Sequence, residues 1–272
     1  MDHPTWHGIE LDAETALALL EWQAEMGADE PLLDAPLDRF DLPAPVAAPR
    51  IPLAAPVAPV LSLTSEDDDL PARVAQAEAL AAQAGTLDAL AAAQEAFDGI
   101  ELKKGARNFC FADGNPAARV LILGEAPGDE EDRQGRPFVG RAGQLLDRMF
   151  DAIGLSRRAV DAEKALYITN VLTWRPPGNR DPQPDEIAVS MPFLRRHIEL
   201  AAPDLIVLMG NIACEAGLGR RGILRLRGTW DQAFGRPALP MTHPAYLLRN
   251  PPAKREAWAD LLSLSARLDG LS

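Results

Sequence analysis

From residue 70 onward the sequence predicts an α/β fold, a three-layer α/β/α sandwich around a central, mostly parallel four-stranded sheet. Three observations carry that expectation. Apolar runs of strand length occur at residues 119–123, 166–172, 205–209 and 238–242. Helix-length patterns lie between and after them, at residues 143–153, 185–200, 212–218 and 255–268. Strands that alternate with helices require crossover connections, which set the strands parallel and cover both faces of the sheet.

Taken in order, residues 1–30 form an acidic segment in which 14–27 (ETALALLEWQAEMG) carries Leu17, Leu20 and Met26 around Trp22 at helical spacing. A short amphipathic helix is expected there, able to dock a protein partner or to fold back on the domain. Residues 31–69 hold eight prolines between Pro31 and Pro59 and end in the acidic cluster Glu66 to Asp69. Too little apolar surface is available to offset ordering, so a disordered linker is expected. Residues 70–97 are alanine-rich and helical in pattern, with a break at Gly85-Thr86 and a new N-cap at Thr86. The domain expected to carry the chemistry is 70–272.

The 272 residues are 47% hydrophobic, enough for a core, and no apolar run approaches the ~20 residues of a membrane helix. A basic-then-apolar leader is not seen at the amino terminus, so a cytoplasmic protein is expected, with no membrane association. Cys110 and Cys214 do not form a metal-type pair and are expected to be small buried apolar residues. The net charge of −13 sits in residues 1–70, which hold 15 acids and 2 bases, leaving 25 of each in the remainder. A neutral domain with arginine-rich loops can still grip phosphates, so global charge does not exclude a nucleic acid.

The densest chemistry lies in residues 120–143, VLILGEAPGDEEDRQGRPFVGRAG. An apolar strand runs into a turn built from Gly124, Pro127 and Gly128, then four successive acids, Asp129 to Asp132. A polar loop and Phe138 follow. Open α/β sheets bind ligands outside the carboxyl ends of their strands, where glycine lets backbone N–H groups approach. Two further loops leave the same edge, Thr169-Asn170 with RPPGNRDP at 175–182, and HPAYLLR at 243–249. Singly these are ordinary turn, cap and surface residues. Together they bring an aromatic plate, an amide and an imidazole around a glycine turn, which is what reading an extruded base requires.

The set GEAPGDEEDRQGRPFVGRAG, ITN, RPPGNRDP and HPAYLLR resembles family 4 uracil-DNA glycosylases, in order, from about residue 97 to the carboxyl end. The resemblance implies a uracil-DNA glycosylase-like fold and a monofunctional enzyme that excises uracil from DNA, leaves an abasic site for base excision repair and acts as a monomer. It also implies roles. Phe138 stacks on uracil, Asn170 reads its edge, and His243 donates to O2 as charge develops. Glu131 lies near C1′, orienting water or excluding the thymine methyl. Glu125 and Ala126 share the turn with Gly128, and Ala126 stands where other uracil glycosylases place a water-activating Asp. Leu247, Leu248 and Arg249 resemble the loop that enters the minor groove, with one leucine open to a core role. Arg136, Arg141, Arg175, Arg180 and Arg249 are phosphate contacts on this reading.

One departure stands out. The family's four iron–sulfur cluster cysteines fall on Phe97, Ile100, Trp174 and Ser190, so no cluster, metal or other cofactor is expected. A related group crosslinks to DNA through a histidine in an insert after the asparagine loop. None occurs between Asn170 and His197, and ordinary turnover is expected. Two other readings remain open: a catalytically weak uracil- or DNA-binding protein, and a metal-dependent phosphoesterase built on Asp129 to Asp132.

Overall fold

The computed structural model describes residues 5–6, 9–10 and 70–270. Near the amino terminus, β1 (Thr5–Trp6) pairs antiparallel with β2 (Ile9–Glu10). The helix expected at 14–27 and the linker at 31–69 lie outside the described residues.

The domain opens with α1 (Leu70–Gln83) and α2 (Leu87–Ala96). Thr86 is the N-cap between them, its hydroxyl accepting from Ala89 N at 3.1 Å. The central sheet then assembles from β4 (Val120–Gly124), β5 (Leu166–Asn170), β6 (Leu205–Met209) and β8 (Arg236–Met241), all parallel, in the order β5-β4-β6-β8. Two short antiparallel edge strands were not expected from sequence. β3 (Asp113–Gly114) pairs with β5, and β7 (Asp231–Ala233) pairs with β8, giving a six-stranded sheet. Runs of two and three residues are too short to show a period-2 pattern.

The crossovers are α4 (Arg141–Asp151), α5 (Pro184–Ala201) and α6 (Asn211–Leu218), and α9 (Lys254–Asp269) closes the chain. Side chains of a strand alternate between the two faces of the sheet, and both faces are apolar here. Leu121, Leu123, Ile206 and Leu208 pack into one cluster with residues of α1, α2, α5 and α6. Val120, Ile122, Val207 and Met209 pack into the other with residues of α4 and α9. That is the three-layer sandwich. Among the described residues no helix is long and apolar enough to cross a membrane.

Three short helices complete the domain, two of them, at 129–134 and 244–249, in stretches the sequence suggested were loops. They are α3 (Asp129–Gln134), α7 (Ile223–Leu226) and α8 (Pro244–Arg249). The four acids therefore begin a helix, where acidic side chains meet the positive end of the helix dipole. Cys110 and Cys214 are both free and buried, as expected, and burial raises their pKa values to about 12 and about 11.

Candidate active site

Strand register assembles the site. Gly124, the last residue of β4, pairs with Asn170, the last of β5, so the first two loops leave the sheet side by side. Met209 pairs with Met241 one strand further on, which brings Gly210 beside the loop that carries His243.

A β-carbon on Gly124 would lie 2.3 Å from Asn170 Oδ1 and 2.4 Å from Phe138 Cε2. Only a bare α-carbon lets the amide and the ring meet over the strand end. The Phe138 and His243 rings face each other at a centroid distance of 5.4 Å, tilted by 30°. Ring, amide and imidazole, contributed by three separated loops, thus share one rim. Asn170 is only 2% exposed, yet neither Oδ1 nor Nδ2 has a hydrogen-bond partner among the described residues. Buried amides are nearly always paired, so one that offers a free donor and a free acceptor is poised for something absent.

His243 is the N-cap of α8, and its Nδ1 accepts from Ala245 N at 3.1 Å. An accepting Nδ1 leaves the neutral ring's proton on Nε2. Burial first, and then the Arg249 charge, lower its pKa to about 4 against an opposing pull from Glu131. The imidazole is therefore a neutral donor at ordinary pH.

The two glutamates differ. Glu131 Oε1 accepts from Val139 N and Gly140 N, both at 2.9 Å, and Oε2 accepts from Gly128 N at 3.2 Å. Both oxygens meet backbone amides, so the carboxylate staples the glycine turn to the segment after Phe138. Glu125 is half-buried, its pKa raised by burial and then by Asp181, against Arg221. Ala126 and Gly128 remain in the turn that opens on the rim.

Two of the arginines expected at phosphates carry protein partners. Arg175 donates to Asp129 Oδ1 at 2.8 Å and to Asn179 Oδ1 at 2.8 Å. Arg180 is held by both carboxylate oxygens of Glu186, at 2.6 and 2.9 Å. Arg175 is thus largely enclosed by its partners, whereas the Arg180 pair lies exposed at the surface. Arg136 is exposed, bonded to Gln134 and 3.8 Å from Asp113. Arg141 and Arg249 are exposed, with no ion pair among the described residues. Leu247 is fully buried with Leu145 and Ala257, a core residue and not a wedge, whereas Leu248 is only partly buried.

The acids do not form a metal cage. Asp132 accepts from Arg107 N and Asn108 N, and Asp129 pairs with Arg133 and Arg175. Among the described residues no group of three or more His, Cys, Asp or Glu is placed to hold a metal ion. At the positions of the family's cluster ligands, Phe97, Ile100 and Trp174 belong to one apolar core cluster and Ser190 is 1% exposed. Phe97 packs on Phe193 and Trp174 on Phe109, at centroid distances of 5.6 and 5.1 Å. These side chains fill the interior and offer no thiolate, so they do not fit an iron–sulfur cluster.

Sequence reasoning missed Gly210, Gly143 and Arg157. Gly210 has φ 92°, and a β-carbon there would lie 3.3 Å from His243 Cβ. Its position directly after an apolar strand was a usable signal. Gly143 admits the Phe138 carbonyl, whose oxygen lies 1.8 Å from where its β-carbon would be. Arg157 carried no local signal.

The ring, the unpaired amide and the neutral imidazole stand at the carboxyl ends of the parallel strands, the place where open α/β sheets bind their ligands. The chain belongs to the uracil DNA glycosylase superfamily, whose family model matches residues 111–262. It is 42% identical over 146 residues to a type-4 uracil-DNA glycosylase of Thermotoga maritima, covering 53% of this chain and 73% of that protein. It is 39% identical over 166 residues to a type-4 enzyme of Saccharolobus solfataricus, covering 57% and 74%. A DNA polymerase of Bacillus phage SP01 carries a similar stretch, 33% identical over 157 residues, covering 58% of this chain and 16% of that protein.

Proposed function

We propose that this chain is a monofunctional uracil-DNA glycosylase that hydrolyses the N-glycosidic bond of uracil in DNA and leaves an abasic site for base excision repair. The observation that carries this reading is the Asn170 amide, buried and unpartnered beside the Phe138 ring. One acceptor and two donors in a plane match the donor–acceptor edge of a pyrimidine, and the adjacent ring supplies the stacking face.

Cleavage leaves an oxocarbenium-like sugar and a uracil anion. His243, with Nδ1 occupied by Ala245 N, points its Nε2 proton toward the anion's O2, a fixed donor of the oxyanion-hole kind. No strong base is needed once the bond has opened. Glu125 is the carboxylate left to orient water, because Glu131 is spent on three backbone amides. Arg136, Arg141 and Arg249 are the phosphate contacts, and Leu248 the side chain that enters the vacated space. Residues 70–272 are the catalytic unit. Residues 1–69 are an accessory segment dispensable for the chemistry, and the unit acts as a monomer without a cofactor.

Incubating the full chain with a uracil-containing oligonucleotide in chelator, followed by alkali, tests the reading. Strand scission at the uracil is expected. Its absence, with binding retained, would make the protein a reader of uracil DNA instead. Removing residues 1–69 is expected to leave excision on naked DNA intact, and a loss of more than about tenfold would return them to the catalytic unit.

A further inference from the structure

Arg157 lies in the turn after α4, outside the three loops in sequence but bonded to the first of them, and its side chain is 8% exposed. Nε donates to Asp147 Oδ1 at 2.7 Å, and Nη1 donates to Asp113 Oδ2 at 2.9 Å. The remaining bonds reach backbone: Nη1 to Pro137 O at 3.0 Å and Nη2 to Phe138 O at 2.8 Å. Two carboxylates neutralise and anchor the buried cation, and its fork closes on two successive carbonyls.

Those carbonyls belong to a segment that would not hold its shape alone. Phe138 has φ 54°, the left-handed region that a residue with a β-carbon disfavours. Its neighbours Val139 and Gly140 are held through their N–H groups by Glu131, and its carbonyl fits against the bare α-carbon of Gly143. We propose that Arg157 is a positioning residue that locks the Phe138 backbone in this conformation and so aims the ring at the base. The inference rests on Phe138 being the stacking ring. A lysine keeps the charge for Asp113 and Asp147 but lacks the planar fork that spans both carbonyls.

The test is a double-mutant cycle with Arg157→Lys and Phe138→Ala, read as kcat/KM for uracil release. In the otherwise unchanged chain, Arg157→Lys is expected to cost about tenfold, mostly in KM, because stacking is shared by the ground and transition states. In the Phe138→Ala background it should cost less than about twofold, since the ring it aims is gone. Equal losses in both backgrounds would overturn the proposal, as would unimpaired release by any folded Arg157 variant. If Arg157→Lys does not fold, Arg157→Gly is assayed with and without added guanidinium. Restored release in that variant, and none in Phe138→Ala, is the expected result, and no restoration overturns the proposal. If the unchanged chain releases no uracil, the glycosylase reading has failed and the clamp is read separately. Amide exchange at residues 138–140 should then quicken in Arg157→Lys while that of β6 stays unchanged, and an unchanged rate at 138–140 overturns it.

Discussion

Replacing Asn170 by leucine separates binding chemistry from stability, because the two should move in opposite directions. In the free protein Asn170 is 2% exposed, and both of its amide atoms lack partners. A buried polar group without a hydrogen bond costs ~1–3 kcal/mol. Leucine has nearly the same branched shape and carries no such cost. The space is tight, since Asn170 Oδ1 lies 2.3 Å from where a Gly124 β-carbon would be. Allowing for that, a net gain of about 1 kcal/mol is expected at the low end of the desolvation range. For a domain of this size that raises the thermal midpoint by ~2–4 °C. Excision should collapse at the same time. The variant loses two hydrogen bonds and leaves the uracil edge unpaired in a dry pocket, at ~1–3 kcal/mol for each group. That corresponds to roughly 30-fold to 10⁴-fold in kcat/KM. Calorimetric melting of the free protein and single-turnover excision, scored by alkaline cleavage, provide the two readouts. A variant that melts earlier yet retains excision within about threefold would show that the amide serves packing, and the reasoning would fail.

Other expectations follow from the same geometry. His243→Ala should lower the rate by ~10²–10³, the usual cost of removing one preorganised donor, and a loss under about tenfold would argue for another donor. His243 and His197 are held neutral, with pKa values lowered by burial to about 4 and about 3 from 6.5. The unfolded chain binds more protons below pH ~6.5, so the thermal midpoint should fall as pH drops from there toward 4 and on toward 3. His243→Gln should flatten the upper part of that window in a melting series. Gly124→Ala should cost at least ~10² in excision, because its β-carbon evicts either the ring or the amide by about an ångström. Leu247→Ala should destabilise by ~2–5 kcal/mol in denaturant titrations. Leu248→Ala should leave those titrations unchanged while weakening affinity for uracil-containing duplex.

Sequence alone determined the order and type of the main elements, since strand- and helix-length apolar patterns record which side chains face a core. It also pointed to the glycine turn, Asn170 and His243 by their places at strand ends, and to Phe138 through the family resemblance. Strand boundaries erred by one or two residues. The edge strands β3 and β7 were missed because two or three residues hold no pattern.

Tertiary structure decided which side chains are free to act. Glu131 and Arg175 look unpartnered in sequence, but they bond groups as far as 9 and 46 positions away. Leu247 and Leu248 are adjacent and alike in type, yet the packing of Leu145 and Ala257 buries only the first completely. Arg157 was invisible because Phe138, Asp147 and Asp113 lie 19, 10 and 44 positions from it. A local pattern records the burial of a face. The commitment of a charge, or the strain of one backbone torsion, depends on distant groups that only the folded chain brings within hydrogen-bonding distance.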